Sequence, residues 1–161
     1  MKRMRIIGVG NEIAGDDAVG PAVIAALRQR DLPDDVELIS VGADALGVIE
    51  YLQDDCDAII IDAARMGQTS GTLLIFPASR AKITIVSDAF SLHGIGLSYA
   101  LSLADRLGLL SRVTIAGIEP ESIEPGHEMT AAVAAAVPAA VDAIIRILNS
   151  KRRADGVEVV S

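Results

Sequence analysis

Tryptophan is absent from this 161-residue chain, and tyrosine and phenylalanine occur twice each. A chain that is 51% hydrophobic and only 2% aromatic must build its core from Val, Ile, Leu and Ala, which suits a close-packed α/β domain. The single cysteine, Cys56, excludes an internal disulfide and a multi-thiolate zinc site. It opens an apolar run, so the role expected of it is that of a small buried residue. Basic residues are few: 14 Lys and Arg against 22 Asp and Glu give a net charge of −8. Such a balance disfavours unaided binding to nucleic acid or an anionic membrane, whereas a cation or a basic partner surface is accommodated. No apolar run is read as reaching the ~18–20 residues of a membrane span. Nor does Met1-Lys2-Arg3-Met4 lead into a secretory h-region. The expectation is a cytoplasmic monomer without membrane insertion. No repeat, low-complexity block or long linker divides the chain, so residues 1–161 are read as one domain, with 151–161 a solvated tail.

Residues 4–9 read as a buried strand, 17–30 as a helix with Pro21 in its first turn, and 36–41 as a second strand. Residues 42–54 are expected to form a second helix. The run Asp57-Ala58-Ile59-Ile60-Ile61-Asp62 is continuously apolar between its acids, as in a central strand covered on both faces. Alternating strands and helices imply a mostly parallel sheet. Residues 71–77 follow too closely for a crossover helix, so this strand is expected to be antiparallel and the sheet mixed. An apolar patch at 83–86 precedes a helix running to about 107, with Gly108 as its stop. A strand at 112–117, a polar loop and a helix over 129–148 complete the chain. Pro138 predicts a kink or break in that last helix.

The stretch from Ile6 to Gly20, IIGVGNEIAGDDAVG, organises the rest. A strand, a glycine turn and a helix start place the turn at the carboxyl edge of the sheet, where open α/β folds bind ligands. Gly8-Val9-Gly10 matches half of a dinucleotide fingerprint, but the third glycine is late, at Gly15. Asp16 and Asp17 would also repel a pyrophosphate at the helix N-terminus. The turn suits a cation better. For Asp16 the structural role of an N-cap is preferred; for Asp17 first-turn stabilisation is the starting preference, which the rest of the chain shifts toward a ligand role. Asp62 stands at the end of a central strand on the same edge. It can cap backbone groups of 63–67 or serve as a ligand or catalytic carboxylate. His93 precedes a helix and His127 lies in a polar loop, where an exposed residue without a role is expected.

In order along the chain, Gly8-Val9-Gly10-Asn11, Asp16-Asp17-Ala18-Val19-Gly20, Asp62, Ser91-Leu92-His93 and Gly117-Ile118-Glu119-Pro120-Glu121 resemble the hydrogenase maturation endopeptidases. The resemblance covers roughly residues 4–148. It implies a three-layer α/β/α sandwich around a twisted, mostly parallel mixed sheet of about five strands. It also implies removal of a C-terminal extension from the large-subunit precursor of a [NiFe] hydrogenase after nickel insertion. Asp17, Asp62 and His93 match the family's metal-contact and catalytic set. Two carboxylates and an imidazole suit a borderline cation: nickel supplied by the substrate, or zinc or cadmium in vitro. Two alternatives are a non-catalytic, metal-dependent checkpoint using the same three ligands and a same-fold peptidase for another precursor; a third, a nucleotide-binding regulator, rests on Gly8-Val9-Gly10 alone. Ser91 lies near His93 in sequence, but no serine nucleophile with a paired base is evident.

Overall fold

A computed structural model describes residues 3–54, 56–81 and 96–154. Five strands form one sheet: β1 (Met4–Gly8), β2 (Val36–Ser40), β3 (Asp57–Ala63), β4 (Leu73–Pro77) and β5 (Val113–Ile118). Their order is β2-β1-β3-β5-β4, and only the β4–β5 pairing is antiparallel. The mixed sheet expected from the short link before residue 71 is therefore present.

Side chains alternate across the sheet. Ile6, Ile59 and Ile61 pack on one face with Val23, Ile24 and Leu27 of α1 (Val19–Leu27) and Val133, Ala140 and Ile144 of α4 (Ala131–Ala154). Ile7, Ala58 and Ile60 pack on the other with Val48 of α2 (Val48–Tyr51) and Ala100, Leu101 and Ala104 of α3 (Leu97–Arg106). That is why the run from Ala58 to Ile61 needs no polar alternation: both faces are covered. The result is three layers, α/β/α. Cys56 is buried and free, as its place at the start of that run suggested.

Several elements differ from their sequence reading. The second helix, expected over 42–54, is a 3-10 turn at Ala45–Gly47 followed by the single α-turn of α2. Gly42, with φ +74°, ends any helical start, and Asp44 caps the turn by accepting from Leu46 N at 3.0 Å. Helix α1 starts at Val19, because Gly15–Ala18 form a 3-10 turn that carries both aspartates. Pro138 does not break α4: it faces outward, so its i−4 carbonyl loses its helix partner on the exposed side. The same helix continues through Ala154 rather than ending at 148 before a tail. Lys151 pairs with Asp57 at 3.2 Å and Arg152 pairs with Asp35, which anchors the last turn. Among the described residues α4 alone is long and apolar enough to cross a membrane, contrary to the expectation that no such run exists; here it lays one face on α1 and the sheet. Gly108 stops α3 as expected, with φ +70° and its N–H donating to Asp105 O at 3.0 Å. The patch at 83–86 lies outside the described residues.

Candidate functional site at the carboxyl edge of the sheet

Between β1 and β3 the chain changes direction. From β1 it moves outward to β2, then returns to place β3 on the other side of β1. Such a switch point opens a crevice beyond the carboxyl ends of the two strands. The turn after β1 enters it from one side and Asp62, at the end of β3, from the other.

Backbone hydrogen bonds fix the turn. Val9 N donates to Ile61 O at 2.9 Å and Gly10 N to Gly42 O at 2.8 Å, tying it to both neighbouring strands. The glycines are required by the protein's own packing. A Cβ on Gly10, whose φ is +147°, would lie 1.8 Å from Asp17 O; one on Gly20 would lie 2.2 Å from Val9 O. The start of α1 thus rests directly on the turn, occupying the room a fingerprint would leave for a phosphate. Asn11 N donates to Asp17 Oδ2 at 2.9 Å, while the Asn11 side chain accepts from Ile13 N at 3.1 Å. These bonds aim the Asp17 carboxylate, which is half-buried, back across the turn.

Asp62 is 8% exposed. Burial pushes its carboxyl well above the usual carboxylate range, and the Asp17 charge pushes the same way; a bond from the Ala63 N–H opposes both only in part. Two acids far apart in sequence therefore act on each other at one crevice. Like charges held together in this way invite a proton or a cation. Among the described residues no three His, Cys, Asp or Glu side chains are arranged to hold a metal ion; His93, the third residue named by sequence, lies outside them, as does Ser91.

Asp16 is a structural acid, as preferred, but not an N-cap. The capping position of its turn is Ala14, which offers no side-chain bond. Asp16 is fully buried and points toward the connection between β5 and α4. Its carboxylate accepts from Glu121 N at 2.8 Å, Ser122 N at 2.9 Å, Thr130 N at 2.7 Å and Thr130 Oγ1 at 2.9 Å. Burial alone would raise this carboxyl, but the donors on Ser122, Thr130 and Glu121 outweigh it and hold it below its ordinary value. His127 is exposed, as expected, with Glu124 3.5 Å away.

Glu119 was named in the sequence only as part of a matching motif, with no role of its own. It is 7% exposed, and its carboxylate accepts from Met66 N at 2.7 Å and Gln68 N at 2.9 Å. Met66 N is one of the 63–67 backbone groups that the capping reading offered to Asp62; of that set the Asp62 carboxyl takes the Ala63 N–H. The available signal was an acid directly after an apolar strand, the same placement that singled out Asp62.

A doubly wound sheet with an acid pair at its switch point defines the class: an α/β protein with an acidic crevice beyond the carboxyl ends of its strands. Comparison with known proteins narrows it. A family model described as hydrogenase maturation protease matches residues 21–147. The chain is 30% identical over 161 residues to the hydrogenase 2 maturation protease of Escherichia coli, covering 98% of this chain and 95% of that one. The hydrogenase expression/formation protein HupD of Rhizobium leguminosarum is 28% identical over 151 residues, 92% of this chain and 75% of the relative. Among solved structures, the E. coli hydrogenase maturating endopeptidase HybD superimposes with a TM-score of 0.76 at 29% identity, over 92% of this chain and 93% of that chain. A hydrogenase 2 maturation peptidase from a Thaumarchaeota archaeon gives 0.67 at 32% identity, over 92% and 99%. The chain belongs to the hydrogenase maturation protease family, whose fold it shares, and that membership supports a hydrolase.

Proposed function

We propose that this protein is an endopeptidase that removes the C-terminal extension of a [NiFe] hydrogenase large-subunit precursor once nickel has been inserted. Asp17, Asp62 and His93 are read as the residues that contact the nickel carried by that substrate. The observation that carries this reading is the Asp17–Asp62 pair at the switch-point crevice. A buried acid raised by burial and by a second acid gains most from a bound divalent cation. Two carboxylate oxygens and an imidazole nitrogen form a mixed donor set that favours nickel or zinc over magnesium or calcium. The bound nickel would recognise the mature state of the substrate and orient the nearby peptide.

Hydrolysis joins a water oxygen to the scissile carbonyl carbon, breaks the carbon–nitrogen bond and delivers a proton to the leaving amine. Asp17, held by the Asn11 N–H and half-buried, is placed to orient a water or a ligand at the crevice mouth. Asp62, deeper and raised, is suited to hold a proton between steps.

Mass spectrometry of a C-terminally extended large subunit from the same source, incubated with this protein with and without nickel loaded, tests the reading. Tail loss only from the nickel-loaded precursor is expected. An intact tail in both samples overturns it and moves weight to a checkpoint or another precursor. His93→Ala is expected to abolish processing without unfolding the protein; unchanged processing removes His93 from the site.

A further inference from the structure

The connection between β5 and α4, residues 119–130, is fastened to both acid-bearing segments of the crevice. On one side Asp16, the residue before Asp17, is buried among donors from Glu121, Ser122 and Thr130. On the other, Glu119 reaches the segment that follows Asp62. Each oxygen of its carboxylate takes one backbone N–H, of Met66 or of Gln68. Its own backbone adds two ties to the far end of the same β3–β4 loop: Glu119 N donates to Thr72 O at 2.9 Å, and Gly71 N donates to Glu119 O at 2.8 Å.

Asp62 pairs in register with Gly117, two residues before Glu119, and Ala64 N donates to Ile118 O at 3.0 Å. Gly117 lacks a side chain where one would collide: a Cβ there would lie 2.8 Å from Met66 Sδ and 3.4 Å from Ala64 Cβ. The chain leaving Asp62 therefore folds across the end of β5, with Met66 packed on Gly117. Glu119 supplies acceptors for the Met66 and Gln68 N–H groups at that fold. A buried carboxylate is a costly acceptor unless its donors are well placed, so its use here fixes the loop in one path.

We infer that Glu119 is a positioning residue for the reaction proposed above: by clamping 66–68 it sets the path of the chain leaving Asp62 and so the placement of the Asp62 carboxyl opposite Asp17. It touches neither the substrate nor the reacting atoms in this reading. Residues that orient reactive groups through a single intermediary commonly change activity or metal affinity about 10–100-fold when altered.

The test uses Glu119→Gln, which leaves one acceptor oxygen, and Glu119→Ala, which leaves none. Backbone residual dipolar couplings are measured for both variants and the wild type, and cleavage kinetics are measured on the nickel-loaded precursor. The couplings of 62–68 are expected to change while those of β1 stay fixed. For cleavage, kcat should fall about 10-fold in Glu119→Gln and more in Glu119→Ala, with KM changed less than about 3-fold. Unchanged couplings at 62–68 in a folded variant overturn the inference. So does a wild-type kcat measured below the variant's melting temperature. If the wild type leaves the precursor intact, the proposed function fails instead, and the couplings still decide whether Glu119 sets the backbone at Asp62.

Discussion

The two ends of the sheet treat buried charge in opposite ways. Toward the amino end Arg5, on β1, meets two partners of opposite sign, Glu37 at 2.9 Å and Asp54 at 2.7 Å, and donates to the Tyr51 carbonyl at 2.7 Å. Bonds to Glu37 and Asp54 raise its pKa further, so it is charged at every working pH. At the carboxyl end Asp62 is similarly buried, yet the charge acting on it is Asp17, of its own sign. A fold selected only for stability has no use for the second arrangement. The first end holds strands in register; the second stores an electrostatic conflict that a ligand can relieve.

Three substitutions test that contrast. The largest effect is expected at Asp62. Asp62→Asn should lower precursor cleavage by at least about 100-fold, the scale of a lost acid–base group. It should leave the melting temperature at pH 7 unchanged or raised. The sign follows from the carboxyl being raised in the fold: its contribution to stability is complete below the ordinary value of 3.8 and is lost as pH rises toward the folded value. Melts across a pH series should show the variant gaining on the wild type from acid to neutral pH. A variant that loses stability in step with activity would place Asp62 with Arg5 among the structural charges.

Asp16→Asn should have a middling effect and the opposite pH dependence. Its carboxyl is held low, so its contribution is present above 3.8 and disappears as pH falls through the folded value. Denaturant unfolding at pH 7 should show a loss of about 1–3 kcal/mol, the scale of hydrogen bonds to a buried charged group. Cleavage should fall less than in Asp17→Asn; the reverse order would mean the reactive aspartate is Asp16. The smallest effect is expected at Arg5. Its partners Glu37 and Asp54 are 48% and 70% exposed and can return to water, so Arg5→Met should cost about 1 kcal/mol in urea and leave cleavage unchanged. A drop in kcat there would tie the two ends together.

The alternation of strand and helix, the apolar run before Asp62 and the tight link before β4 were enough to read a mostly parallel, mixed sheet from sequence, while the three layers came from the family resemblance. The shared edge was legible too, because a glycine turn after the first strand and an acid after the third converge on the carboxyl edge of a parallel sheet; that this edge is a switch point follows from the strand order. What sequence hid depends on contacts between distant segments. Asp16 and Asp17 are adjacent and chemically identical, and only the donors on Glu121, Ser122 and Thr130 separate their roles. Glu119 sat at the start of a segment read as a polar, acid-rich loop; its place directly after an apolar strand was a local signal, but its partners Met66 and Gln68 lie about 50 positions away. The length of α2 was overread because the apolar spacing of 46–52 fits a helix while Gly42 and Asp44 shorten it.

The ties made by Asp16 also bear on how the protein comes into being. Its partners lie 105 to 114 positions further along the chain. Contacts of such long range form late, because the loop they close must first be ordered by other interactions. On a ribosome the Asn11–Asp17 bond and the ties of the glycine turn to residues 42 and 61 can form early, but Asp16 lacks its donors until Thr130 has emerged. A nascent chain can therefore lay down β1, α1 and β3 before the turn beside Asp17 gains its anchor on residues 121–130.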